Sequence, residues 1–228
     1  MACSASANLD LAIPNWVEPV KDPTADNAAN QGTKWHEYFA TLMLLSGKNI
    51  EHFAAALAYV ATIKQTRRFQ MLIEQEMTAD WLASKPTSTA DLVLYTADEL
   101  HVFDLKTGKI RVEVIRNAQL MFYALTYMAF APKAKGVTLH IVQPWADNIE
   151  AWYVSAADLQ DFMRDAIAAE KKIKLGDTTF MPGDHCTFCP ANPHARGEKG
   201  HPYCPAMMGL LYPEIIDEDA LLTMEDFA

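Results

Sequence analysis

The spacing of apolar and polar residues divides the chain into alternating helices and strands. Trp35, Phe39, Leu42 and Leu45 recur at helical intervals, so residues 32–60 read as a helix with one apolar face. Residues 68–80 suit a strand, residues 92–95 a second and residues 101–106 a third, with a turn at 96–99. Thr107-Gly108 ends the third strand. Residues 117–130 form the strongest predicted helix, with Leu120, Ala124 and Tyr127 on one face and Pro132 just past its end. Strands follow at 136–142 and 151–154, and Ser155 is placed to cap a helix from 156 to about 172. Helix, three strands, helix, two strands and helix make an α/β order around a central mixed sheet. Residues 1–31 show no clear period and read as an irregular arm.

Composition fits this picture and narrows it. Half of the 228 residues are hydrophobic, enough to bury a sizeable single core with appendages. No apolar run reaches the roughly 18 residues that cross a membrane. Met1-Ala2-Cys3-Ser4 carries no basic region before an apolar stretch, so the expected location is the cytoplasm, a host's if the chain is phage-encoded.

The net charge of −10 bears on any nucleic-acid partner. Six of the acids lie between Ala206 and Ala228, where there is no Lys or Arg, so the body is only mildly acidic. Lys64, Arg67, Arg68, Lys106, Lys109, Arg111 and Arg116 supply local positive charge. Such a stripe can hold phosphates, while the bulk charge opposes tight nonspecific duplex binding. Residues 213–228 mix acids with apolar side chains. They read as a solvated terminus, or as a peptide that docks on a partner or covers a basic cleft.

The chemistry concentrates between Asp91 and Tyr123. Asp104 follows Asp91 by thirteen residues, Lys106 is two further on, and Gln119 and Tyr123 sit one helical turn apart in the next helix. Asp104 and Lys106 share a strand face, because side chains alternate with period two. Two hard oxygen ligands beside an ammonium suit a divalent cation and a phosphodiester under attack. The carbonyl of Leu105 adds a further oxygen. An isolated Asp-x-Lys is commonly a surface ion pair, but this one ends an apolar strand directly before a turn, where functional groups gather.

These residues resemble the RecB-type branch of the PD-(D/E)xK nucleases, and more closely a phage and prophage family within it. Gly32-Thr33-Lys34-Trp35-His36 resembles its histidine block. Thr89-Ala90-Asp91 resembles its Gly-Thr-x-Asp block, with Ser88 where Gly is usual. Asp104-Leu105-Lys106 and Gln119-x-x-x-Tyr123 are the third and fourth blocks. The resemblance spans about residues 30–205. It implies a restriction-endonuclease-like core in which His36, Asp91 and Asp104 bind Mg²⁺ or Mn²⁺. Lys106 would assist the water, and Gln119 and Tyr123 would contact DNA or brace the site. Glu74 and Glu76 are extra carboxylates that read as exposed strand positions.

Near the C-terminus, Cys186-x-x-Cys189 is followed by His201-x-x-Cys204. Paired ligands at this spacing suit a tetrahedral zinc ion, with His194 as a competing ligand. RecB-branch relatives often carry an iron–sulfur cluster with one N-terminal cysteine just before a proline. Here Ile13 precedes Pro14, which favours structural zinc, with a 4Fe-4S cluster as the alternative.

The expected organisation is an arm (1–31), a nuclease core (32–180), a Cys/His metal-binding segment (181–212) and an acidic tail (213–228). The expected function is a Mg²⁺- or Mn²⁺-dependent DNA exonuclease of phage-type recombination or end processing. A catalytically silent DNA- or partner-binding protein is the alternative. Expected partners are DNA, a recombination or single-strand-annealing protein, and a second copy of the chain.

Overall fold

The computed structural model describes residues 32–37, 39, 54–177, 179–183, 185–186, 189, 191–192, 204 and 206–207. The expected arm, the acidic tail, His194 and His201 lie outside the described residues. The chain divides into two compact units, one of residues Asp22–Arg164, the other of Met1–Lys21 with Asp165–Ala228.

In the first unit, residues 32–37 are helical. They are followed by α1 (Ala54–Thr66), β1 (Gln70–Thr78), β2 (Thr87–Tyr95), β3 (Leu100–Leu105), α2 (Ala118–Tyr127), β4 (Gly136–Gln143), β5 (Asn148–Ser155) and the start of α3 (Ala156–Lys174). The five strands lie side by side in chain order. Only the β3–β4 pairing is parallel. A parallel neighbour requires a crossover, and α2 supplies it. This is the expected central mixed sheet flanked by helices.

All six residues of β3 are buried. A strand covered on both faces reads as a near-continuous apolar run, and Leu-His-Val-Phe-Asp-Leu follows that rule except at His101 and Asp104. One face of the sheet buries Val93, Val102, Leu139 and Ile141 against Leu120, Ala124 and Tyr127 of α2 and Leu159 of α3. The other buries Leu92, Leu94, Phe103 and Leu105 against Phe39 and against Ala56 and Val60 of α1. At about 25 cal/mol per Å² of apolar surface, each fully buried Leu or Phe contributes roughly 1.5–3 kcal/mol.

The caps follow the expected chemistry. Asn117 accepts the amide of Leu120 (3.1 Å) at the start of α2, and Ser155 accepts that of Asp158 (3.1 Å) at the start of α3. Gly136 opens β4 where any Cβ would collide with the carbonyl oxygen of Val154.

In the second unit, α3 ends at Gly176, whose φ of +72° lets the Asp177 amide reach back to the carbonyl of Lys172 (3.0 Å). Beyond it, Ala191 and Cys204 are buried with Phe180, Cys189, Ala206 and Met207 around them.

Candidate active site

The site is built where the regular ladders of the sheet give way. β1 and β2 pair in one continuous register, Ile73 with Leu92 and Gln75 with Ala90, which sets Glu74 opposite Asp91. That step is not a ladder pair, because Glu74 has φ +46° and its backbone turns out of the pleat. A non-glycine residue held there stores strain of order 1–3 kcal/mol, and such strain clusters at functional sites. The β2–β3 ladder pairs Leu92 with Phe103. One step further along that register, Asp91 stands across from Asp104. Instead of a ladder bond, the Leu105 amide donates to Asp91 Oδ2 at 2.5 Å.

Asp91 and Asp104 are both buried. Asp91 Oδ1 meets His36 Nδ1 at 2.7 Å. His36, Glu74 and Asp91 each offer a ligand atom, and these atoms lie within 4.8 Å of one another. Among the described residues no other three His, Cys, Asp or Glu side chains come together in this way. Asp104 stands just outside that triangle, close enough for its charge to raise the His36 pKa.

Lys106 connects the acids to α2. Its Nζ lies 2.8 Å from Asp104 Oδ2. No second donor among the described residues reaches this buried oxygen. The same ammonium donates to Gln119 Oε1 at 2.8 Å, and Gln119 Nε2 donates to the Tyr123 hydroxyl at 2.7 Å. The one-turn spacing of Gln119 and Tyr123 lets the two side chains meet.

The electrostatics record an excess of negative charge. Burial pushes Asp104 up to about 6; Lys106 opposes that rise and Asp91 adds to it. Burial, then the charge of Asp91, pushes Glu74 up to about 7. The hydrogen bond that His36 donates to Asp91 raises the His36 pKa, against the opposing effect of burial. Burial is also the main cause of the raised pKa of Tyr123. A cation among these groups would reverse the rise of the two acids. The donor set of one imidazole and hard carboxylates fits a divalent cation such as Mg²⁺ or Mn²⁺.

Two side chains matter more than the sequence implied. Glu74 reads as an exposed strand position and is exposed, and its turned backbone also sets its carboxylate in the ligand triangle. Tyr127 reads as part of the apolar stripe of α2, and its ring is indeed fully buried. Its hydroxyl donates to the Gln75 carbonyl and accepts the Ala90 amide (3.2 Å), so it ties β1 to β2 beside Glu74 and Asp91. Glu76 joins no ligand group among the described residues.

In the second unit no disulfide joins Cys186, Cys189 and Cys204. They do not meet as a ligand group among the described residues. The Gly183 amide points at Cys186 Sγ (3.4 Å), and the Cys189 amide donates to the Cys186 carbonyl (3.2 Å).

Two solved structures resemble the chain at low identity. A candidate exonuclease from Eubacterium rectale is 15% identical, with a TM-score of 0.44 over 85% of this chain and 81% of that one. An alkaline exonuclease from Laribacter hongkongensis is 9% identical, with a TM-score of 0.30 over 75% of this chain and 89% of that one. No helix among the described residues is long and apolar enough to cross a membrane. A family model described as protein of unknown function DUF2800 matches residues 18–220, nearly the whole length, and the chain belongs to that family.

Proposed function

We propose that the chain is a divalent-metal-dependent deoxyribonuclease, acting as an exonuclease in phage-type DNA recombination or end processing. The convergence of His36, Glu74, Asp91, Asp104 and Lys106 where the β1–β2 and β2–β3 ladders are interrupted supports this most directly. His36, Asp91 and Asp104 would hold Mg²⁺ or Mn²⁺ with the Leu105 carbonyl, and Glu74 would join them. When bound, the ion supplies positive charge to the phosphate oxygens and lowers the pKa of a coordinated water.

The protein's own groups do the rest. The Leu105 amide and His36 fix both oxygens of Asp91. Lys106 holds an ammonium beside Asp104, where it can orient the attacking water and offset charge that develops as the bond breaks. Gln119 restrains that ammonium and Tyr123 restrains Gln119. Both side chains would contact DNA or brace the site.

The test is cleavage of linear DNA in Mg²⁺ or Mn²⁺ by the wild type, Asp104→Ala and Lys106→Ala. Loss of cleavage in both variants and in chelator is expected. Equal residual activity in all three proteins sinks the proposal and leaves a nuclease-like fold that binds DNA or a partner without cutting.

The cysteine segment is a separate proposal. Cys186, Cys189, His201 and Cys204 hold a structural zinc ion, on the strength of their spacing and of the Gly183 amide directed at Cys186 Sγ. Metal analysis of the purified protein checks it. Iron with acid-labile sulfide would replace zinc by a 4Fe-4S cluster.

A further inference from the structure

The loop between Lys106 and α2 is the most unusual surface of the first unit. Residues 106–116 hold four cations (Lys106, Lys109, Arg111, Arg116) and one anion (Glu113), in a chain whose net charge is −10. The same loop exposes Ile110 (83%) and Ile115 (61%). Among the described residues of this unit, the only other large apolar side chain so exposed is Tyr153.

This loop is not loose chain. Gln143, fully buried at the end of β4, donates to the carbonyls of Gly108 and Ile110, both at 2.7 Å, and accepts the Val112 amide at 3.0 Å. Buried Asn148 donates to the Val112 carbonyl and to Gln143 Oε1, both at 3.0 Å. Val114 is buried, and Asn117 closes the loop onto α2. Arg111 is paired with Glu150 and Glu113. Lys109 and Arg116 are exposed, with no ion pair among the described residues. Two buried amide side chains of a folded scaffold therefore hold a loop that leaves two isoleucines in water. Exposure of these side chains gives the free protein nothing, since apolar surface gains only when covered.

We infer that this loop is a wedge that meets the end of a DNA duplex, with Ile110 and Ile115 against the terminal base pair and Lys109 and Arg116 on the flanking phosphates. The inference rests on the nuclease reading and specifies its substrate. The occupant follows from chemistry. Positive charge selects a polyanion, and aliphatic side chains between cations suit the faces of unstacked bases. The loop starts at Lys106 and ends one turn before Gln119, so a strand parted there lies beside the acids.

The test uses the full chain with Ile110→Ser/Ile115→Ser, each position being exposed enough that folding should survive, as circular dichroism would verify. The first probe is a blunt duplex with 2-aminopurine in its terminal pair, bound in an Asp104→Asn background with Mg²⁺. Fluorescence should rise on binding with the native loop and fail to rise with the double variant. The second readout is kcat/KM on that duplex relative to the same single strand. That ratio should fall ~10-fold in the double variant, the scale of one lost base contact. Equal fluorescence rise and an unchanged ratio would overturn the wedge. Absence of cleavage by the wild type on both substrates is the failure of the nuclease reading instead, and the fluorescence arm still decides the wedge.

Discussion

β3 carries two buried polar groups that point to opposite faces of the sheet, and the two surroundings differ in one decisive respect. On one face, His101 belongs to a closed chain of hydrogen bonds. The Tyr59 hydroxyl meets His140 Nδ1 at 2.8 Å, His140 Nε2 meets His101 Nδ1 at 2.9 Å, and His101 Nε2 meets Glu99 at 2.9 Å. With both rings neutral, each donates once and accepts once, so no polar atom is orphaned. Phe103 stacks on His140 at 4.1 Å. On the other face, buried Asp104 stands across from buried Asp91, and its Oδ2 meets the Lys106 ammonium at 2.8 Å. A closed polar cluster supports the fold, whereas crowded buried carboxylates are the arrangement that the proposed metal site requires.

The sharpest test of this contrast is to remove one member from each side. Asp104→Asn should lower DNA cleavage by at least ~100-fold, the scale of losing one group that stabilises a transition state. The same change should leave thermal stability equal or raise it by a few degrees, because it relieves a crowded buried acid. His140→Ala should do the reverse. It opens a cavity and strands His101 and Tyr59, which costs about 3–5 kcal/mol in urea unfolding. Cleavage per folded molecule should stay near the wild-type value. A stability loss in Asp104→Asn as large as that in His140→Ala would erase the distinction between the two faces.

Acidity should separate the same two clusters, with opposite signs. Burial, and then the charge of His101, hold His140 down to about 3. Between the ordinary histidine value near 6.5 and that value, only the unfolded chain takes up the proton, so stability falls as pH drops through this window. The limiting slope is roughly 1.4 kcal/mol per pH unit. Asp104 and Glu74, raised to about 6 and about 7, behave oppositely in metal-free protein. There the folded state holds protons that the unfolded state has lost, so this cluster gains stability as pH falls towards 4. Bound Mg²⁺ requires these acids ionised. Stabilisation by Mg²⁺ in urea unfolding should therefore be clear at pH 8 and nearly absent at pH 5.5. A Mg²⁺ effect independent of pH would show that neither acid faces the ion.

Much of this contrast is legible in the sequence, and the rest fails for identifiable reasons. Asp104 and Lys106 declare themselves by alternation within one strand, and Gln119 and Tyr123 by one turn of one helix; both are short-range rules. The strand and helix order emerges for the same reason. β2 and β5 are each longer than their apolar stretches predict, because their first residues, Thr87-Ser88-Thr89 and Asn148, are polar and break the apolar pattern. Glu74 escapes because its role depends on the β1–β2 register and on a left-handed φ that no local rule expects at a glutamate. The His101–His140 pair escapes because it forms across the parallel β3–β4 seam, 39 residues apart in the chain. Each histidine alone looks like a polar interruption of a buried strand.

Tyr127 is where fold and site meet, and its variant should give the smallest effect of the three. The ring packs in the core beside Leu120 and Ala124, while the hydroxyl ties Gln75 to Ala90. Tyr127→Phe keeps the packing and removes only that tie. The Ala90 amide loses its partner, so a loss of about 1–2 kcal/mol is expected. If the tie serves only the fold, that is the whole effect, and Mg²⁺ affinity stays at the wild-type value. If it also holds Glu74 across from Asp91 in the turned conformation, the Mg²⁺ midpoint for cleavage should shift severalfold upward while the rate at saturating Mg²⁺ changes little. A titration of cleavage against Mg²⁺ separates the two outcomes. An unchanged midpoint would place Tyr127 with His140 among the groups that hold the sheet together and leave Glu74 to be positioned by its own strand.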